Sequence, residues 1–354
     1  MSNIPAQVRP SIAFAAVSAL LFLPMHAAAD ADGGWTITAI EEDDYFAPHN
    51  KDEHYTQGLR LSATSPDVTD EKTWTRPFRL ARWAFPVGDA HATDVTRRYN
   101  IVALGQNMYT PRNRDLVVPD PGDRPYAGWL YSGVGLMQDV GGDEFDELDM
   151  KLGVVGPASF ARETQTVWHL NVIGTKPFLG WSAQLHNEPT LDLYYDRKWR
   201  FLRAGAADGT GWGIDAIPQA SLRVGNVYDY LGGGVMLRAG FNLKTDYGPP
   251  HIDLNTGSDY FNPKRGDGSG LVFYAFVAAE TRLVARNMFL DGNSFRSSAH
   301  VAKYPAVADG EAGIAVNYRH FRFSYTLVYR TPEYVHQPGA DHYGSLALTY
   351  HHGY

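Results

Sequence analysis

The 354-residue chain has no cysteine, so no disulfide holds it together and its stability must come from elsewhere. Positive charge is scarce: 31 Lys and Arg face 39 Asp and Glu, for a net charge of −8. That balance excludes a general basic surface for nucleic acid. Beyond the N-terminal segment, no apolar run approaches the ~20 residues that a membrane-spanning helix needs. There is also no internal repeat, low-complexity tract or composition break, and the mature chain, residues 30–354, reads as one domain.

What the sequence does contain begins with "MSNIPAQVRPSIAFAAVSALLFLPMHAAADADGG". Arg9 precedes an apolar segment over residues 11–25, and Ala27, Ala28 and Ala29 precede Asp30. This order of basic, apolar and small residues predicts a secretory signal peptide over residues 1–29. Its removal would make the chain one unit more negative. An exported, cysteine-free chain with 21 Tyr, 8 Trp and 35 Gly fits an outer-membrane β-barrel, although a soluble periplasmic β protein has a similar composition. The C-terminal "YGSLALTYHHGY" favours the barrel. Leu346, Leu348, Tyr350, His352 and Tyr354 share one face at period two, opposite Ser345, Ala347, Thr349, His351 and Gly353. The terminal aromatic resembles the signal read by outer-membrane assembly machinery.

Comparable segments predict strands over residues 35–42, 55–65, 97–109, 126–140, 144–156, 191–203, 211–225, 231–244, 270–285, 310–318, 321–331 and 343–354. The fold class is therefore all-β: a transmembrane antiparallel barrel of about twelve strands with a short helical segment in an extracellular loop. The aromatic stretch 74–85 has no clear period and is left in a connection. An even count with both termini in the periplasm sends the first strand outward. The connections holding residues 41–52, 109–129 and 156–189 then meet at the extracellular rim. Residues 245–270 would form a long periplasmic connection, where short turns are the rule.

Chemistry concentrates at that rim. "EEDDYFAPHNKDEHYTQGLRL" carries four consecutive carboxylates, Glu41 to Asp44, which repel unless a cation or water intervenes. A hard, oxygen-ligated cation such as Ca²⁺ would satisfy them, although the spacing is not that of an EF-hand, and a solvated acidic loop is the plainer alternative. On strand alternation, Glu42 and Asp44 point one way and Asp43 the other, so only one side can face the site if the strand continues that far. His169 lies in a run free of Pro and Gly, four residues after Gln165, so the two share a helix face. Its imidazole is the best general base the rim offers, with Glu163 or Gln165 available to orient it.

The segments "EEDDYFAPHNKDEHYTQGLRLS", "QNMYTP", "DRPYAGWLY", "LGVVGPASFARETQTVWH", "GWSAQLHNEP", "DYGPPHI" and "RNMFLDGNSF" together resemble the lipid A 3′-O-deacylases, the LpxR-like family of Gram-negative outer membranes. The resemblance spans nearly the whole mature chain. It implies a twelve-stranded barrel and a calcium-dependent hydrolase that removes the 3′-linked acyloxyacyl group of lipid A in lipopolysaccharide. The active site would lie at the outer leaflet, between barrel and loop helix. The family's catalytic His falls on His169, its metal-binding Asp on Asp44, and the Thr of its Tyr-Thr-x-Gly motif on Thr56. A basic residue after "YTP" falls on Arg112 or Arg114, where the family expects Lys; Arg differs in its fork geometry and permanent charge. Asp43 replaces the family's usual Asn. An ionised Asp only accepts hydrogen bonds, so it cannot donate one to an oxyanion as Asn could.

The resulting expectation is an ester hydrolase in the outer membrane. His169 would activate water, Asp44 would hold Ca²⁺, and Arg112 or Arg114 would meet a lipid A phosphate, while Thr56 would contact substrate or water. A groove beside the barrel would accept acyl chains. Two alternatives compete: a non-catalytic barrel (a pore or surface-binding protein), and an outer-membrane phospholipase, for which the sequence offers no convincing Ser–His pair, His342 and Ser345 having no orienting partner. The sequence carries no mark of oligomeric state.

Overall fold

The computed structural model describes residues 34–48, 52–85, 94–205, 210–262, 265–266 and 269–352. The expected signal peptide, with its processing site before Asp30, lies outside the described residues. No described helix is long and apolar enough to cross a membrane. The chain forms instead a closed antiparallel barrel of twelve strands. These are β1 (Thr36–Asp43), β2 (His54–Thr64), β3 (Val95–Thr110), β4 (Ala127–Val140), β5 (Glu144–Val155) and β6 (Glu188–Trp199, continued by Leu202–Gly205). The circuit goes on through β7 (Trp212–Gly225), β8 (Tyr228–Phe241), β9 (Leu271–Asn287), β10 (Ala306–Tyr318), β11 (Phe321–Arg330) and β12 (Asp341–His351).

Each strand pairs with its neighbours in sequence, and β1 pairs with β12 to close the ring. The two pieces of β6 are one strand with a bulge. Lys198 pairs with Gln219 and Leu202 with Ala216, so four steps on β6 match three on β7. The expected strands are all present. Several start earlier than their apolar content suggests, because polar inward residues also belong to them; β10 begins at Ala306, not residue 310.

Alternation sorts each strand. On β12, Ser345, Ala347, Thr349 and His351 are buried toward the lumen, while Leu348 and Tyr350 are exposed on the outer wall. This is the face assignment that the C-terminal pattern predicts. It also separates His342, which is exposed and packs on Tyr329, from Ser345, which is buried and donates to Glu42. A nucleophile pair cannot be built from side chains on opposite faces of one strand, so the phospholipase alternative loses its residues.

The long connection between β8 and β9, which fits poorly as a periplasmic loop, folds into the lumen. Residues 246–262 are buried there and meet inward-facing arginines in turn. Asp246 pairs with Arg238 (2.5 Å) and Arg322 (3.3 Å), Asp253 with Arg330 (2.6 Å), and Asp259 with Arg60 (2.8 Å). The segment climbs to the rim end of β1, where the Ile252 amide donates to Glu42 Oε1 (2.9 Å). A polar lumen makes this possible, because backbone groups entering it find partners instead of hydrocarbon. Arg330 is almost wholly buried and also binds Asp309 (2.7 Å). Arg330→Met would leave two buried carboxylates without this partner. It is expected to cost about 3–5 kcal/mol, read as a lower urea midpoint for the barrel folded in vesicles.

Candidate active site

The four carboxylates of the opening stretch do not share one place. Glu42 turns inward, where it accepts from Tyr55 (2.8 Å) and Ile252 and holds the plug. Glu41 faces the outer wall beside Gln57. At Asp43 the strand ends: its carboxylate accepts from the Tyr45 amide (2.7 Å) and caps a 3₁₀ turn over Asp44–Phe46. That turn removes Asp44 from the alternation, so the condition for its sharing the Glu42 face, a strand continuing that far, is not met. Asp43 is only 3% exposed although it falls on the outward parity of β1.

Across the rim, the β5–β6 connection carries a helix on the outside of the barrel. Gly128, on the outward face of β4, allows this approach. A Cβ there would stand 2.2 Å from both the Ala161 Cβ and the Ser159 Oγ. The helix α2 (Ala161–Trp168) begins after Phe160, in the left-handed region at φ 58°, and continues as a π-helical turn over His169–Ile173. Such turns often mark functional positions, and His169 stands at the junction. Its Nδ1 lies 3.1 Å from the Lys176 carbonyl and 3.3 Å from the Thr175 hydroxyl. Donation to the carbonyl fixes the proton on Nδ1 and leaves the Nε2 lone pair available. Phe178 packs edge-on against the ring.

Gln165 does not orient this imidazole. Its Oε1 accepts from Trp181 Nε1 (2.7 Å) and its Nε2 donates to Thr56 Oγ1 (3.4 Å), tying α2 to β2. Glu163 is exposed on the far side of the helix. The backbone of the helix's own following turn holds His169, which helical spacing alone could not reveal.

Facing His169 is Asp52, a residue that the sequence patterns do not single out. Its Oδ1 lies 3.7 Å from His169 Nε2, and its Oδ2 accepts from Arg114 Nη1 (3.0 Å). Asp52 and His54 both take positive φ, 53° and 70°, so the chain kinks twice on entering β2. His54 is locked there between Asp341 (2.5 Å) and the Tyr334 hydroxyl (2.9 Å). Asp44, Asp52, Arg112, Arg114, Tyr45 and Thr175 line a cavity of about 540 Å³. His169 is buried behind Asp52, and Thr56 lies in the neighbouring contact with Gln165.

Burial and mutual repulsion among neighbouring carboxylates dominate the electrostatics of this cluster. Burial pushes the Asp44 carboxyl well above its ordinary range, reinforced by the charges of Asp43 and Asp52, while the Glu53 amide (2.9 Å) pulls the other way. Burial also raises Asp52, against the pull of His169 and Arg114. A buried carboxylate crowded by like charges, facing a cavity, is the donor chemistry that a hard cation would relieve. Among the described residues, no three acidic or His side chains converge as a metal cage. Side chains would therefore supply part of a Ca²⁺ shell, centred on Asp44, and backbone, water or substrate oxygens the rest.

A closed twelve-stranded barrel with an apolar outer wall and a polar, filled lumen is the architecture of an outer-membrane protein. The chain belongs to the LpxR outer membrane protein family, whose model matches residues 13–352. Its fold is similar to LpxR from Salmonella typhimurium, at 20% identity and a TM-score of 0.70, covering 89% of this chain and 99% of that one. The β domain of the Bordetella autotransporter BrkA is a more distant likeness, at 10% identity and a TM-score of 0.42, covering 90% and 99%. No curated protein matches the chain in sequence.

Proposed function

We propose that this protein is a calcium-dependent lipid A deacylase that removes the 3′-linked acyloxyacyl group by hydrolysis. The observation that carries the reading is the single rim cavity in which Asp44, Asp52, Arg112 and Arg114 meet, with His169 behind it and its Nε2 turned toward Asp52. Family membership supports the substrate class.

His169 Nε2 takes the proton of a water as that water attacks the acyl carbonyl, and the Asp52 carboxylate beside it meets the positive charge that forms. The imidazolium then returns the proton to the departing sugar oxygen as the acyl C–O bond breaks. Asp44 would hold Ca²⁺, which when bound would polarise the carbonyl and stabilise the oxyanion, while Asp43 caps the turn that carries Asp44. Thr56 contacts the substrate or the attacking water from β2. Arg112 and Arg114 present guanidinium groups for a lipid A phosphate; Arg114 has already committed one nitrogen to Asp52.

The outer wall supplies a place for the acyl chain. Register pairs Asp43 with Gln57, Glu41 with Leu59, and Ala39 with Leu61 on one side. On the other side it pairs Glu41 with Leu346 and Ala39 with Leu348. Small Ala39 between larger neighbours leaves a groove of about 390 Å³ that runs down the wall from Glu41. A chain lying there would pass from the rim into the hydrocarbon.

The test is mass spectrometry of lipid A from cells expressing the folded chain, with calcium and with a chelator. The expected result is a calcium-dependent loss of the 3′ acyloxyacyl mass. Unchanged lipid A around a folded barrel would sink the reading.

A further inference from the structure

The aromatic stretch that has no clear period in the sequence has a defined place in the fold, at the opposite end of the barrel from the rim cavity. Residues 65–85, in the β2–β3 connection, do not hang below the barrel; they lie on its outer wall. Phe78 and Phe85 are buried in one cluster, against which Tyr99, Leu136, Leu148 and Tyr195 pack. Those four residues form one row across β3 to β6. Tyr99 pairs with Leu136, Leu136 with Leu148, and Leu148 with Tyr195.

The row sits above the strand ends, four residues in from Val140 on β4 and from Glu144 on β5. At about 3.4 Å per residue and a typical tilt, that is about 10 Å of membrane depth. The segment therefore occupies wall that lipid would otherwise cover.

Its outward composition suits that position. Leu80 and Trp83 are 83% and 69% exposed, and neighbouring exposed positions hold Lys72, Arg76, Arg79 and Arg82. None of these four cations has an ion-pair partner among the described residues; Arg79 spends one nitrogen on Thr75 Oγ1 (3.0 Å). Three carboxylates lie in the same segment, Asp67, Asp70 and Glu71, and Asp67 is engaged by Thr69 and the Arg97 amide. The short helix α1 (Arg76–Leu80) holds Phe78 inward while Arg76, Arg79 and Leu80 face out. Apolar side chains beside a cationic fringe are the pattern of a segment lying in a membrane interface.

We propose that residues 70–85 form a lateral anchor that binds anionic phospholipid head groups of the periplasmic leaflet. Leu80 and Trp83 enter the acyl boundary, and Arg76, Arg79 and Arg82 meet the phosphates. The inference is independent of the deacylase reading. It rests on the row of wall contacts and on cations that have no ion-pair partner among the described residues at the other end of the barrel.

The full folded chain in detergent is offered phosphatidylglycerol and phosphatidylcholine with the same acyl chains, and bound lipid is counted by native mass spectrometry. Wild type is expected to retain phosphatidylglycerol about tenfold or more over phosphatidylcholine. R76Q/R79Q/R82Q is expected to retain both equally while keeping its heat-modifiable migration. No preference in wild type, or an unchanged preference in the triple variant, would overturn the anchor. A second measurement does not depend on the triple variant folding. In vesicles of phospholipid brominated near the head group, Trp83→Phe is expected to remove part of the quenchable fluorescence; an unchanged quenchable share would place Trp83 outside the membrane.

Discussion

Replacing His169 with alanine is expected to lower acyl release from lipid A by about 10²–10⁴-fold, the usual contribution of a positioned general base. The barrel should remain folded. His169 is not part of the lumen network, and its Nδ1 contacts lie within its own connection, to Thr175 and Lys176. Heat-modifiable migration on a gel would show the fold intact, so lost activity could be assigned to chemistry. Rates within a few-fold of wild type would remove His169 from the mechanism. In that case the base would have to be sought at Asp52, which lies between the imidazole and the cavity.

The second large effect is expected at Asp44. Asp44→Asn retains an oxygen that can accept from the Glu53 amide, so the local turn should survive. It removes the negative charge that a cation would need. We expect deacylation to fall about a hundredfold or more and to stop responding to added calcium, the loss that follows when an oxyanion-stabilising group is removed. Asp43→Asn separates charge from position. Asn caps a turn as well as Asp does, so the Tyr45 amide keeps its acceptor, and activity is expected to rise instead of fall. If Asp44→Asn keeps full, calcium-responsive activity, Asp44 is not the metal-binding residue.

The strands could be read directly because a barrel wall repeats a simple demand: one face meets hydrocarbon and the other a polar lumen. The alternation of Leu346, Leu348 and Tyr350 against Ser345, Ala347 and Thr349 carries that demand in the residues themselves. The break inside β6 was not visible, since a bulge costs one residue and leaves the composition unchanged. Counting strands brings the connections that hold Arg112, Arg114 and Asp44 to one end of the barrel, and the three side chains line one cavity. Asp52 was missed because it lies outside any periodic segment. The signals that could have raised it were its acidic neighbour Glu53 and the crowding of acids around the same turn.

The sequence alone determined the closed antiparallel wall, the gathering of Asp44, Arg112 and Arg114 at one end of the barrel, and the family. All three follow from period-two alternation, strand parity and long local motifs, which are properties of residues close together in the chain. Only the tertiary structure decided how the four carboxylates divide and which atoms hold His169. It also decided that residues 246–262 fill the lumen and that residues 65–85 lie against the outer wall. Each of these depends on a contact between distant segments, such as Glu42 with Ile252 or Phe78 with the Tyr99–Tyr195 row. Such contacts are set by the geometry of closing the ring, and no local pattern records which distant partner will satisfy a buried charge or cover an aromatic face.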